Sequence, residues 1–165
     1  TQESMLFFFC LCILAKNIGV SHAFNENMGD RMTSNQENRD STLSIISQAF
    51  KSADLTLREN NRLGTSSLLV AGAWIEGIYI ACQTAKETKS EAIVKEIFTQ
   101  KESLVNLIEL IQSSKVVSEA EYIVTELKTI KSIYDSKNTT DYSLNALSEL
   151  DGKITEVRTK IVSTK

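Results

Sequence analysis

The sequence predicts an all-α fold: a single bundle of five to seven mostly antiparallel amphipathic helices around a central apolar helix at about 66–86. Three observations carry that prediction. Apolar residues recur at spacings of three and four over long stretches. The chain contains no proline to interrupt them. No segment alternates with the period of two that marks a half-buried strand. The clearest stripes are Leu43, Ile46, Phe50, Ala53 and Leu57; Val116, Ala120, Ile123, Leu127, Ile130 and Tyr134; and Leu147, Leu150, Ile154, Val157 and Ile161. A helix turns once per about 3.6 residues, so each set lines one face and needs a partner face.

Taken in order, Met5 to Ala15 (MLFFFCLCILA) is the most apolar run in the chain. At about 11 residues it is too short to span a bilayer, which takes ~20. Two readings stand side by side. The run has the length of a signal-peptide core, and Ser21-His22-Ala23 has small residues around a cleavable position. Against this, no basic residue precedes it, and Phe9 and Leu11 stand where a lipid-attachment motif needs a small residue before Cys10 or Cys12. Alternatively, residues 4–18 form a helix docked through Met5, Phe8, Cys12 and Ala15, with Gly19 at its carboxyl cap. The opening Thr1-Gln2-Glu3-Ser4 reads like the interior of a helix, and the chain like part of a longer protein.

A short helix through Met28 and Met32 follows, then a loop at Asn35–Asn38. Asp40 or Ser41 caps a helix to about Glu59. Asn60 to Gly64 forms a turn. Leu68 to Cys82 (LLVAGAWIEGIYIAC) is apolar on every side except at Glu76. A helix of that kind belongs inside its neighbours. Gly72 and Gly77 weaken it, since glycine costs about 1 kcal/mol against alanine within a helix. Their presence predicts a neighbouring helix that approaches closely. Thr88-Lys89-Ser90-Glu91 matches a capping box. The helix after it buries Val94, Ile97, Phe98, Leu104, Val105, Ile108 and Ile111. Ser118 to Glu121 offers a second capping box, with Val117 and Tyr122 as a hydrophobic staple. Lys137 to Thr140 is a loop, and Thr140 or Asp141 starts the last helix. No linker or domain boundary shows, so residues 1–165 read as one domain.

Net charge is −3 with a pI of about 5.3. That is no footprint for nucleic acid, nor a surface for anionic head groups. Three cysteines, Cys10, Cys12 and Cys82, cannot all pair within one chain and read as small apolar side chains. His22, the single histidine, has no cluster of ligands around it and reads as a capping or surface residue. Asn138-Thr139-Thr140 matches a glycosylation acceptor by composition alone. No catalytic set, cofactor loop or metal cluster can be assembled.

The succession of TQESM, LAKNIGV, SHAF, RDSTLSIISQAF, AGAWIEGIYIA and QKESLVNLIELI resembles a family of uncharacterised lipoproteins from Bacteroidetes, over roughly residues 1–135. AGAWIEGIYIA is the most specific of these segments. The resemblance implies an upstream secretion signal and lipid-anchoring cysteine, and it makes residues 1–18 an internal helix. It implies a cell-envelope location, periplasmic or at the outer membrane, with membrane attachment only through that upstream anchor. One departure is plain: Leu6, Phe9, Cys12 and Ile13 stand at positions that are usually polar in the family. The family brings no established activity.

Glu76 is the residue with the most chemistry. A carboxylate in an apolar helix is costly unless paired, so it calls for a specific partner or a polar cavity. Trp74 and Tyr79 flank it, as core aromatics or as the walls of a ligand site. The expected function is a non-enzymatic helical domain of a cell-envelope lipoprotein, a structural or interaction module with an unidentified protein partner or none. No cofactor or nucleic acid is implied. The alternative is a small-ligand-binding bundle with its pocket beside Glu76, Trp74 and Tyr79.

Overall fold

The computed structural model describes residues 2–114, 121–137 and 141–163. They are all-α, with no strand among them. In chain order the elements are α1 (Gln2–Asn17), a 3₁₀ turn (Ser21–Ala23), α2 (Glu26–Ser34), α3 (Arg39–Glu59), α4 (Leu63–Thr88), α5 (Glu91–Thr99), α6 (Lys101–Ser113), α7 (Glu121–Ser136) and α8 (Leu144–Ser163). The chain divides into two compact units, residues 1–62 and 63–165, at the turn after α3.

In the first unit, α1 ends where a glycine can end it. Gly19 has φ +76°, and the amide of Val20 reaches back to the carbonyl of Ala15 at 2.8 Å. This is the left-handed cap that closes a helix by satisfying its last carbonyls. The Arg62 guanidinium donates to the Ile18 carbonyl beside it. Ala15 is buried, the Cys12 thiol donates to the Phe24 carbonyl at 3.2 Å, and the Phe8 ring lies against Gly29. A Cβ on Gly29 would stand 2.9 Å from Phe8 Cε1, so here a missing side chain does permit close approach. The side chains of Met5 and Leu6 lie outside the described residues. Phe9 and Ile13 are exposed, while Cys12 is half-buried.

Asn25 caps α2 and Asn38 caps α3, each accepting from the amide three residues on at 3.1 and 3.0 Å. The cap of α3 is therefore Asn38 and not Asp40 or Ser41. The buried stripe of α3 is Ile45, Ala49, Ala53 and Leu57, with Ile46 and Phe50 half-buried. Leu43, placed on that stripe from its spacing, is 51% exposed. The stripe steps by four, so its face drifts away from Leu43. Phe50 meets Phe24 edge to face at 5.8 Å between centroids.

The second unit is built around α4, which touches α5, α6 and α8; α7 packs on α6 and α8. One continuous core runs through Ala71, Ile75, Ile78, Cys82, Val94, Ile97, Leu104, Ile111, Leu127, Ile130, Leu147, Leu150, Ile154 and Val157. Ile123 lies half-buried at the edge of its stripe, and Ile161 is exposed at the last turn of α8. By length and composition α4 could cross a membrane. Burial of Cys82 pushes its thiol up to about 12. Tyr134 crosses from α7 to donate to the Ile97 carbonyl at 3.1 Å.

Two boundaries differ from expectation. The cap of α5 is Ser90, whose hydroxyl accepts from the Ile93 amide, while Thr88 still belongs to α4. Lys89 between them takes φ +52°. The single helix expected across residues 91–111 is two, α5 and α6, broken at Gln100. That residue has φ −74° and ψ 1°, closes α5 through its amide to the Ile97 carbonyl, and opens α6 by accepting from the Leu104 amide. The capping box at Ser118, the staple residue Val117, the stripe members Val116 and Ala120, and the acceptor at Asn138–Thr140 lie outside the described residues. The last helix starts at Leu144, with Ser143 accepting from the Ala146 amide at 3.2 Å.

Candidate functional site

α4 carries every residue singled out for chemistry, and the fold sends them to two places. Glu76 and Tyr79 go with α8. The Arg158 guanidinium donates from Nε to Glu76 Oε2 at 2.6 Å and from Nη2 to Oε1 at 3.1 Å. Its Cζ stands 4.4 Å from the centre of the Tyr79 ring. A fork-to-fork pair with an aromatic face beneath is the geometry that arginine's planar group favours over lysine's point charge. Glu76 thus has the specific partner that its surroundings demanded.

It is not the buried carboxylate the sequence suggested. Its side chain is 43% exposed. The reason lies in its neighbours. Gly72, Ala73 and Gly77 cover too little volume to bury anything around them, and a Cβ on either glycine would meet nothing within 4 Å. The close helix approach expected at Gly72 and Gly77 is therefore absent. Instead α4 keeps an open side: Val70, Ala73, Gly77 and Ile80 are exposed, Ile80 to 55%.

The buried charge among the described residues is Glu126 on α7, with its side chain only 10% exposed. Lys153 meets it at 2.6 Å and Lys160 at 3.5 Å, both from α8. The hydrogen bond from Lys153 holds the Glu126 carboxyl below its ordinary value, and Lys153 is raised in return. Sequence reasoning missed this residue. The available signal was the seven-residue spacing of Lys153 and Lys160, two turns apart on one face of α8.

Trp74 points elsewhere. It lines an open groove of about 550 Å³ with Gly77, Ile78 and Ala81 of α4, Ala92, Ile93, Glu96 and Ile97 of α5, and Gln100. Neither Glu76 nor Tyr79 lines it. The indole Nε1 of Trp74 is buried and has no hydrogen-bond partner. Glu96 and Gln100 also escaped the sequence reading, because nothing in the pattern announced the break between α5 and α6 that places them.

His22 is exposed, with Nε2 2.9 Å from the Thr56 hydroxyl. Among the described residues no group of three or more histidine, cysteine or acidic side chains could hold a metal ion. Compared with family models, with curated proteins and with solved structures, the chain finds no match.

Proposed function

We propose that this chain is a non-enzymatic helical module of a cell-envelope lipoprotein of the Bacteroidetes type, serving as a structural or interaction element for a protein partner. The observation that carries the reading is the open side of α4. This long apolar helix leaves Val70, Ala73, Gly77 and Ile80 exposed. Contiguous apolar surface of this kind marks contact sites. Its residues are small or unbranched at the centre and aliphatic at the ends, so a partner helix can approach the backbone closely. Glu76 supports the same reading, since both of its carboxylate oxygens are engaged by Arg158.

The test places a photo-crosslinking amino acid at Ile80, and separately at exposed Lys128 on α7, in the polypeptide as its host makes it. A discrete adduct from position 80 and none from 128 is the expected result. No adduct at 80, or the same adducts at both, rejects the partner. Feeding the host an alkyne-tagged fatty acid tests the lipoprotein assignment separately, and an unlabelled protein in the soluble fraction rejects it.

A further inference from the structure

The stripe on the open side of α4 changes character along its length. Val70, Ala73, Gly77, Ile80, Thr84 and Glu87 step by 3, 4, 3, 4 and 3, so they share one face over about 26 Å. All are exposed except Thr84, which is half-buried and donates its hydroxyl back to the Ile80 carbonyl at 2.9 Å. The face is apolar through Ile80 and acidic at its end. Glu87 lies in the last turn, where the helix dipole disfavours a negative charge. Glu96 of α5 adds a second carboxylate along the edge, since it lines the groove with Gly77 and Ala81.

Glu87 and Glu96 are both exposed, and neither makes an ion pair among the described residues; Glu96 accepts from the Thr99 hydroxyl at 3.4 Å. Neighbouring cations are engaged elsewhere. Lys86 meets Asp151 at 2.6 Å, Arg158 holds both oxygens of Glu76, and Lys95 lies over the Tyr142 ring at 5.9 Å. Lys89 stands beyond the helix end in its left-handed turn. The apolar part of the face suits a helix, because Ala73 and Gly77 let a second backbone come close. The acidic part suits lysine or arginine. A second copy of this chain suits it less, since a two-fold contact centred on Gly77 would bring Glu96 toward its own copy. An anionic membrane surface would meet the same two carboxylates. We infer that the open face of α4 docks an amphipathic helix of another protein, with basic residues at one end and along one flank of its apolar stripe, meeting Glu87 and Glu96. This rests on the reading of that face as a contact surface and adds the chemistry of what it contacts.

The probe is a fluorescently tagged helical peptide of about 18 residues, five turns to match the stripe, with leucine and alanine on one face and lysine on the other. Its counterpart has glutamate for every lysine. Titrated with the full chain and followed by anisotropy, the lysine peptide should saturate at one per chain and bind at least about tenfold more tightly than the glutamate peptide. Glu87→Gln with Glu96→Gln should weaken it about tenfold and reduce its salt dependence. Glu102→Gln with Glu109→Gln removes the same charge from exposed positions on α6 and should change affinity less than about twofold. Ile80→Ser, at an exposed position, should keep the native circular dichroism and weaken binding. Equal affinity for the two peptides, equal losses in the two double variants, or no saturable binding would overturn the inference. Cosedimentation with anionic lipid vesicles in place of peptide binding would replace the helix with a membrane. A dimer that Ile80→Ser dissolves would replace it with a second copy of the chain. The two readings fail separately: a crosslink from position 80 to a segment that is acidic or not helical keeps the contact surface and overturns this chemistry.

Discussion

Replacing Gly72 or Gly77 by alanine should stabilise the 63–165 unit, and this distinguishes the open α4 from a tightly packed one. Both residues lie well inside a 26-residue helix. Glycine in such a place is less favourable than alanine by about 0.8–1.0 kcal/mol, because the unfolded chain surrenders more freedom at glycine. A stabilising substitution also requires that the new methyl group meet nothing, and an ideal Cβ at either position has no neighbour within 4 Å. Both sites are exposed, so no burial term alters the sum. The two share no partner, so their effects should add to about 2 kcal/mol. For a unit of roughly a hundred residues that is a rise of roughly 8–10 °C in Tm. Urea unfolding followed by tryptophan emission reads this unit alone, because Trp74 is the only tryptophan. A loss of stability in either variant would refute the reasoning, since it would mean that a neighbouring helix occupies the space.

Leu127→Ala should cost about 2–5 kcal/mol, because Leu127 is completely buried at the meeting of α7 with its neighbours; a change under ~0.5 kcal/mol in urea unfolding would contradict its place in the core. Glu126 sits below its ordinary carboxyl value, so its ion pairs contribute stability above about pH 4.5 and lose it as the pH falls through its lowered value; Glu126→Gln should flatten that acid limb in unfolding measured across pH. Glu76→Gln should lower Tm by less than Leu127→Ala, and the difference from wild type should shrink in high salt, since the Glu76–Arg158 pair is partly solvated. Iodoacetamide should modify exposed Cys10 in the native protein and reach Cys82 only after unfolding, as mass spectrometry of timed samples would show.

The three-four stripes make the helices and most of the core legible in the sequence. Leu127, Ile130, Leu147, Leu150, Ile154 and Val157 all lie where periodicity puts them. Periodicity fixes a face only to within a residue or so. Leu43, placed on the stripe by spacing, is therefore exposed, and Ile45, off that stripe, is buried in its stead. Caps slipped for a related reason: Thr88 and Ser90 both have a hydroxyl, and only the left-handed turn at Lys89 selects the second. The break at Gln100 involves neither glycine nor proline, so no local signal marks it. The groove followed from that break and stayed hidden with it. In α4 the difficulty was different. Low polarity all round was read as burial all round, yet residues as small as Gly72 and Gly77 cannot bury their surroundings unless another chain segment comes to them.

Glu76 and Arg158 meet across 82 residues of sequence, and the rest of the contact between α4 and α8 spans a similar distance. During synthesis α4 is finished well before α8 exists. At typical elongation rates the gap lasts roughly 4–15 s. For that interval a 26-residue apolar helix waits without the element that covers much of its side. A chain stalled or truncated before residue 144 retains this exposed helix permanently. Formation of the α4–α8 part of the core thus waits for synthesis of α8.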